Sequence, residues 1–196
     1  MKFIKNHGIA FWEQILRCEA SSLESLTFFK SSFMSLTKIH PIWETAGSSP
    51  SKVVKATIQA RMVSGRYRTE YLCRHWSKNT LGSCLLSSSC KSTTEDLTHI
   101  LLDCPSLQPT RDKLISFTMD FCNQNPHIGQ LILCYLSPSH PMFCQFLLDC
   151  SVIPETIALT QIHGPETLNY LFHVTRTWCY ALHRERLKLL GRWNVY

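Results

Sequence analysis

The chain has 196 residues, of which 44% are hydrophobic and 17% charged, and a formal net charge of +6. That balance is the composition of a folded protein and excludes a disordered tail; the length suffices for the core of one domain or two small ones. No apolar run approaches the roughly 18 residues of a membrane span, and LILCYL at 131–136 is too short.

The N-terminal stretch MKFIKNHGIAFWEQIL has no sustained apolar core and no small-residue cleavage site, so it does not read as a signal peptide. Its Phe3, Ile4, Phe11, Trp12, Ile15 and Leu16 predict a short helix over 3–16. Leu23, Leu26, Phe29, Phe33 and Leu36 fall near helical spacing and predict a second over 21–36, among many serines. His40-Pro41 breaks the pattern, and Gly47-Ser48-Ser49-Pro50 is the best linker. Ser51 is placed to cap a helix from about 52 to 62, with Val54, Ile58 and Met62 on one face and Gly65 at its end. Tyr67, Tyr71, Leu72 and Trp76 line the next segment, among Arg66, Arg68, Arg74 and His75.

Further helices are predicted over 106–121, with Leu107, Leu114, Phe117 and Phe121 inward, and from Pro126 to Leu136. Others run from Phe143 to Cys150 and from Pro154 to Ile162. Gly164-Pro165 resets the chain before the longest helix, about 166–191. There Leu168, Phe172, Cys179, Leu182 and Leu189 make an apolar face and the arginines a wet one. No run alternates as a strand does, so the fold class is mainly α. The expected organisation is a helical segment 1–49, a basic and cysteine-rich region 50–122, and a C-terminal helical region 123–196.

The charge is unevenly placed. Seven basic residues between Lys52 and Lys78 face Glu70 alone, a local balance of +6 that equals the excess of the whole chain. Arg176, Arg184, Arg186, Lys188 and Arg192 against Glu185 make a second cluster. Clustered cations are the footprint of phosphate contacts.

Without an export signal, the ten cysteines are expected to be reduced thiols or metal ligands, which makes the protein intracellular, nuclear or cytoplasmic. Four chemistry-bearing residues gather in GSCLLSSSCKSTTEDLTHILLDCPSLQPTR (82–111): Cys84, Cys90, His99 and Cys104, a Cys-x5-Cys-x8-His-x4-Cys array. Three thiols and an imidazole can close a structural zinc site. Thr93 or Thr94 is placed to cap a helix opening at Glu95-Asp96, with His99 inside it and Pro105 ending it after Cys104. The alternative is that these cysteines are small buried hydrophobes, since ten in one chain will produce some such array by chance.

RMVSGRYRTEYLCRHWS at 61–77, the cysteine array and CPSLQPTRDKL at 104–114, taken in order, resemble the zinc-binding tail that follows the polymerase domain in reverse transcriptases of non-LTR (LINE-type) retrotransposons. FFKSSFMSLTKIHPIW at 28–43 and RTWCYALHRERLKLLGRW at 176–193 also look like parts of such tails. The resemblance implies that Cys84, Cys90, His99 and Cys104 are the zinc ligands of a small helical domain built around a Cys3His knuckle. It also implies a role in gripping nucleic acid during target-primed reverse transcription. The loop at 85–89 is one departure: it is longer than usual and lacks proline, which leaves Cys73 or His75 as an alternative to Cys84.

Polymerase chemistry needs paired acids holding two metal ions. Asp96, Asp103, Asp112, Asp120 and Asp149 supply no such pair, so the chain reads as non-catalytic. The leading expectation is a module that binds RNA or DNA. Arg61, Arg66, Arg68, Arg74 and Lys78 would meet phosphates, and Tyr67, Tyr71 and Trp76 would stack on unpaired bases. Against this, any one of those aromatics can equally be a core residue beside a solvated basic face. The competing readings are a structural or protein-interaction domain, with a polymerase body as partner in trans, and a decayed element fragment without selected function. No membrane partner is expected.

Overall fold

The structure, a computed structural model, describes residues 2–23, 26–30, 35–75, 77, 81–137 and 139–192, side chains of residues 2–8 apart. It is mainly α, as the periodicities predict. Among the described residues the only pairing of extended backbone is an isolated antiparallel bridge, Ser83 with Thr94. No helix among them is long and apolar enough to cross a membrane.

Helix α1 (Lys2–Ser22) runs six residues past its expected end. It stops where Ser21 Oγ and Ser22 Oγ turn back onto the carbonyls of Arg17 and Glu19, both at 2.7 Å. Serines that bond their own backbone in this way compete with helix continuation, and among the described residues past Ser22 the α-helix expected over 21–36 is not seen. Leu26 opens a tight turn instead, and Phe33 lies outside the described residues. Two long-range bonds hold the segment: Gln145 Nε2 donates to Phe28 O at 3.1 Å, and Leu36 N donates to Glu13 Oε1 at 2.7 Å.

Helix α2 (Pro41–Glu44) is a single turn that starts at the expected break. Pro41 suits a first helical position, where no N–H is needed, and His40 Nδ1 accepts from Ile42 N. Helix α3 (Pro50–Val63) likewise opens on a proline, one residue before the expected Ser51 cap; Ser49 occupies the cap position without a side-chain bond. Its inward face carries Ile58 and Met62 as expected, but Val54 is exposed and Gln59 is buried. Gln59 Nε2 is satisfied by Leu147 O at 2.7 Å and Thr175 Oγ1 at 3.1 Å, which ties α3 to the C-terminal helices.

After the single turn α4 (Glu70–Cys73), four helices follow the cysteine-rich segment: α5 (Gln108–Gln124), α6 (Pro126–Tyr135), α7 (Phe143–Leu148) and α8 (Pro154–His163). Helices α5 and α6 approach closely at Gly129, where a Cβ would stand 2.9 Å from Cys122 O. A side chain there would force the pair apart.

The longest helix, α9 (Glu166–Leu189), is the axis of the molecule and packs against α3, α5, α7 and α8. Helices from either side of the expected 122/123 boundary therefore share one core. Phe172, Cys179 and Leu182 are buried as predicted, whereas Leu189 is exposed. The wet face needs a correction: Arg176 and Arg186 are buried, leaving Arg184, Lys188 and Arg192 outside. Trp178 is the largest fully buried side chain; it meets Phe143 edge-on at 5.9 Å and donates from Nε1 to Thr118 Oγ1 at 2.9 Å.

Trp178→Ala removes that contact and the bond to Thr118 Oγ1, which keeps its own bond to Leu114 O, so it is expected to cost about 3–5 kcal/mol. A shifted denaturant midpoint at unchanged slope is the readout; a shift under about 1 kcal/mol would refute the central place given to Trp178.

Candidate metal centre and its basic surround

The segment between α4 and α5 brings four ligand-type residues together. Residues 82 to 95 fold as a narrow loop in which Cys84 N donates to Thr93 O and Glu95 N donates to Gly82 O, both at 2.9 Å. Gly82 sits at φ +73°, a left-handed conformation that glycine adopts without strain, and a Cβ there would lie 3.0 Å from Arg74 Cδ. Ser87 caps the short turn Ser88–Cys90 through Ser89 N, and Thr93 N donates to Cys90 O at 2.8 Å. Two cysteines therefore point from one compact loop toward the chain that follows.

That chain turns helical only from Leu97, two residues after the opening expected behind Thr93 or Thr94, with His99 inside it as expected. Thr94 is used in the bridge, Glu95 turns inward, and Asp96 Oδ1 caps the next turn by accepting from His99 N at 2.8 Å. The turn His99–Asp103 is a π-helix, closed by Cys104 N donating to His99 O at 2.8 Å. On a regular α-helix, positions five apart lie about 140° from each other around the axis. The wider π-turn brings His99 and Cys104 to one side, a common use of such turns at functional sites.

Cys84, Cys90, His99 and Cys104 are all buried, and their ligand atoms lie within 4.8 Å of one another. Cys84 Sγ is 3.9 Å from Cys104 Sγ, and Cys90 Sγ is 4.0 Å from it. Sulfurs at two corners of a tetrahedron with 2.3 Å bonds to a central zinc would be about 3.8 Å apart. His99 adds a second observation: both of its ring nitrogens are buried with no hydrogen-bond partner. Buried polar atoms in native structures are almost always satisfied. These four residues can hold a metal ion. Burial pushes the Cys84 thiol up to about 12, and raises Cys104 in the same way. The Leu86 and Ser106 backbones bond these sulfurs and act in the opposite direction. A bound cation would reverse the burial effect, because it stabilises thiolate directly. Four of the other cysteines, Cys122, Cys144, Cys150 and Cys179, are core residues, and all ten thiols are free.

Three charged residues around this cluster are beyond anything the spacing shows. Arg111, one turn into α5, is buried and donates to Cys104 O at 2.5 Å and Ile100 O at 3.4 Å, holding the π-turn from behind. Glu95 is fully buried and forms an ion pair with Arg186 of α9. Glu95 Oε1 also accepts from Glu70 N at 3.0 Å, and Glu95 O accepts from Tyr71 N at 3.2 Å. The sequence places Arg186 in its second basic cluster and Glu95 at a helix start, but no local pattern marks the burial of either or of Arg111.

The residues predicted to contact nucleic acid divide in two. Arg61, Arg66, Arg68 and Arg74 are exposed, and the first three line an open cavity of about 710 Å³ together with Arg186 and Arg192. Arg74 lies over the Tyr71 ring at 4.1 Å, which leaves Tyr71 half-buried. Tyr67 is 4% exposed, with its hydroxyl 3.0 Å from His183 Nδ1 and Arg186 against its ring. Its face is used in packing and is not offered to a base. Trp76 and Lys78 lie outside the described residues. Cys73 and His75, the alternative ligands, are not part of the cluster that gathers the other four.

No family model, curated protein or solved structure matches the chain. The retrotransposon resemblance rests on the residues that carry it.

Burial, with Arg186 and Arg61 adding to it, holds His183 down at about 4. The unfolded chain binds a proton at this residue near pH 6.5, which the folded chain refuses until about 4. Stability from this site is therefore complete above pH 6.5 and lost as pH falls through that window, by an amount on the order of 2 kcal/mol. His183→Gln should flatten the fall in urea stability between pH 6.5 and 4; an unchanged slope would assign the acid sensitivity to other groups.

Proposed function

We infer that this chain is a non-catalytic, zinc-stapled helical module that binds nucleic acid through the basic surface around α3, α4 and the end of α9. The observation that carries the metal half is the pair of unpartnered ring nitrogens of His99, set against three buried thiols at tetrahedral spacing. Soft thiolates with one imidazole are the donor set zinc prefers, and four protein ligands leave no position for a reactive water. The metal is structural in this reading. It fixes the segment from Gly82 to Cys104, and through Glu95 that segment fixes Arg186 and the start of α4.

The nucleic-acid half is supported by Arg61, Arg66 and Arg68, which are exposed around one cavity, and by the exposed Arg74. Tyr71, backed by Arg74, is the aromatic there that remains half-accessible. The likeness of GRYRTE and CRHWS to the tails of LINE-type reverse transcriptases points in the same direction. One observation favours an interaction role instead. Phe11 and Trp12 of α1 are each more than half exposed and sit edge-to-face at 5.7 Å, an aromatic surface suited to a protein partner.

Protein purified under reducing conditions should carry about one zinc per chain by elemental analysis, the stoichiometry of a single closed site. Cys134→Ser, an exposed thiol outside the cluster, should retain it, while Cys104→Ser loses both metal and helical signal. Metal affinity should fall as pH falls, because the thiols must lose their protons to bind. If the parent folds metal-free and matches Cys104→Ser, the cysteines are core residues and the staple is ruled out.

Binding to a single-stranded oligonucleotide should weaken steeply with salt, each neutralised phosphate contributing about −0.7 to the logarithmic slope. Replacing Arg66 and Arg68 together with glutamine should make that slope shallower by about 1.4. An affinity indifferent to salt and to both substitutions would favour the interaction reading.

A further inference from the structure

Arg176 is the second buried arginine of α9, at 3% exposed, and no carboxylate among the described residues pairs with it. Its Nε donates to Phe172 O at 2.9 Å, and its Nη2 donates to Thr45 Oγ1 at 2.9 Å and Thr45 O at 3.3 Å. Its Nη1 is buried with no partner. A guanidinium stays protonated throughout the usable pH range, so this nitrogen presents donors that the protein itself leaves unmet.

The same arginine lines a small cavity whose other walls are Lys52 and Lys55 of α3 and Asn169 and His173 of α9. No carboxylate among the described residues lines it; Glu166, a turn earlier on α9, is engaged with Asn169 Nδ2 at 2.8 Å. Cations therefore face one another without a counter-charge, and they act on each other. Lys55 is lowered by burial and then by Arg176, and His173 by burial and then by Lys55, Arg176 and Lys52. The cavity holds about 40 Å³. One water needs some 10–15 Å³ on this measure, so the space suits a tetrahedral oxyanion and excludes a base or a sugar ring.

We propose that this pocket is a binding site for a single phosphate group, with Arg176 Nη1 as its buried donor and Lys52 and Lys55 as the charges at its mouth. An oxygen of the anion would satisfy the orphaned donor, and its charge would offset the mutual repulsion of the cations. His173, freed from an unbalanced positive field, would then take up a proton more readily. The proposal stands apart from the nucleic-acid reading, because the pocket is complete for a free phosphate or monoester as well as for a backbone phosphate.

The test is calorimetric titration of the full metal-loaded chain with inorganic phosphate, at ionic strength held constant with sodium chloride. Because Arg176 also holds Thr45, Arg176→Gln is expected to damage the fold, and Lys55→Gln carries the comparison. Saturable one-site binding, weakened about tenfold or more in Lys55→Gln, is the expected result. Lys55→Gln should also melt no lower than the parent in chloride alone, since it removes a like charge, and should gain less from added phosphate. Absence of saturable heat above the chloride control, or equal affinity in the two proteins, overturns the site.

A single-stranded oligonucleotide separates the sources of the phosphate. Loss of oligonucleotide affinity in Lys55→Gln, with competition by phosphate, assigns the site to a backbone phosphate. Oligonucleotide binding untouched by Lys55→Gln, alongside lost phosphate binding, assigns it to a free phosphate or monoester. If no oligonucleotide binds at all, the nucleic-acid reading falls while the phosphate titration still decides this pocket.

Discussion

The buried ion pair between Glu95 and Arg186 joins the two halves of this molecule. Glu95 belongs to the loop that presents Cys84 and Cys90, and Arg186 belongs to the helix on which the core is built. Losing one member of such a pair costs a protein about 3–5 kcal/mol, because the other charge is stranded without water. The pair is also geometrically exacting. Glu95 Oε1 serves Arg186 and the first amide of α4 at once, while the Glu95 backbone holds Gly82 and Tyr71. A shift of the cysteine-bearing loop would therefore be felt at α4 and at the far end of α9.

This arrangement explains why the basic surface and the metal-ligand cluster belong to one functional unit in the proposed reading. Arg61, Arg66 and Arg68 flank the turn that Glu95 anchors, and their spacing depends on where that turn is held. A short loop such as 82–95 cannot bury enough apolar surface to hold itself. With a dication at Cys84, Cys90, His99 and Cys104, the loop would be fixed by coordination instead of by packing. The rest of the basic region would inherit that rigidity through the ion pair.

The later helix positions were legible because burial in a helical core imposes a 3.6-residue period, and prolines at positions 126 and 154 mark starts, whereas Pro41 and Pro50, which read as a break and a linker, also open helices. The four residues that the structure gathers, Cys84, Cys90, His99 and Cys104, stand out by residue type and spacing, although spacing left Cys73 or His75 open in place of Cys84. The geometry that unites it was not: a π-turn depends on one i→i+5 bond, and nothing in HILLD separates it from an ordinary helix. The same limit applies to Arg176 and Arg186. Read on a helical wheel they belong with the solvated arginines, but each has a dedicated partner far away in sequence, Thr45 for one and Glu95 for the other. Long-range polar pairing leaves no periodic trace. Tyr67 fell to the same effect, since its hydroxyl partner His183 is 116 residues away.

Charge balance ties the buried arginines to the cysteine cluster. Three thiolates around a dication would leave the centre with one net negative charge. Arg111 lies directly behind it, its guanidinium on the Cys104 carbonyl; burial lowers the Arg111 pKa, and a charge on Cys104 acts against that. Glu95 acts in the opposite direction, raising Cys84, and Arg186 neutralises it. If the cysteines were only core hydrophobes, Arg111 would be a desolvated cation facing neutral thiols, with backbone and amide oxygens as its partners. Loaded with metal, the same residues form two compensated pairs, Arg111 with the thiolate centre and Arg186 with Glu95. Among the described residues, Arg176 alone of the buried arginines then lacks an anion of its own.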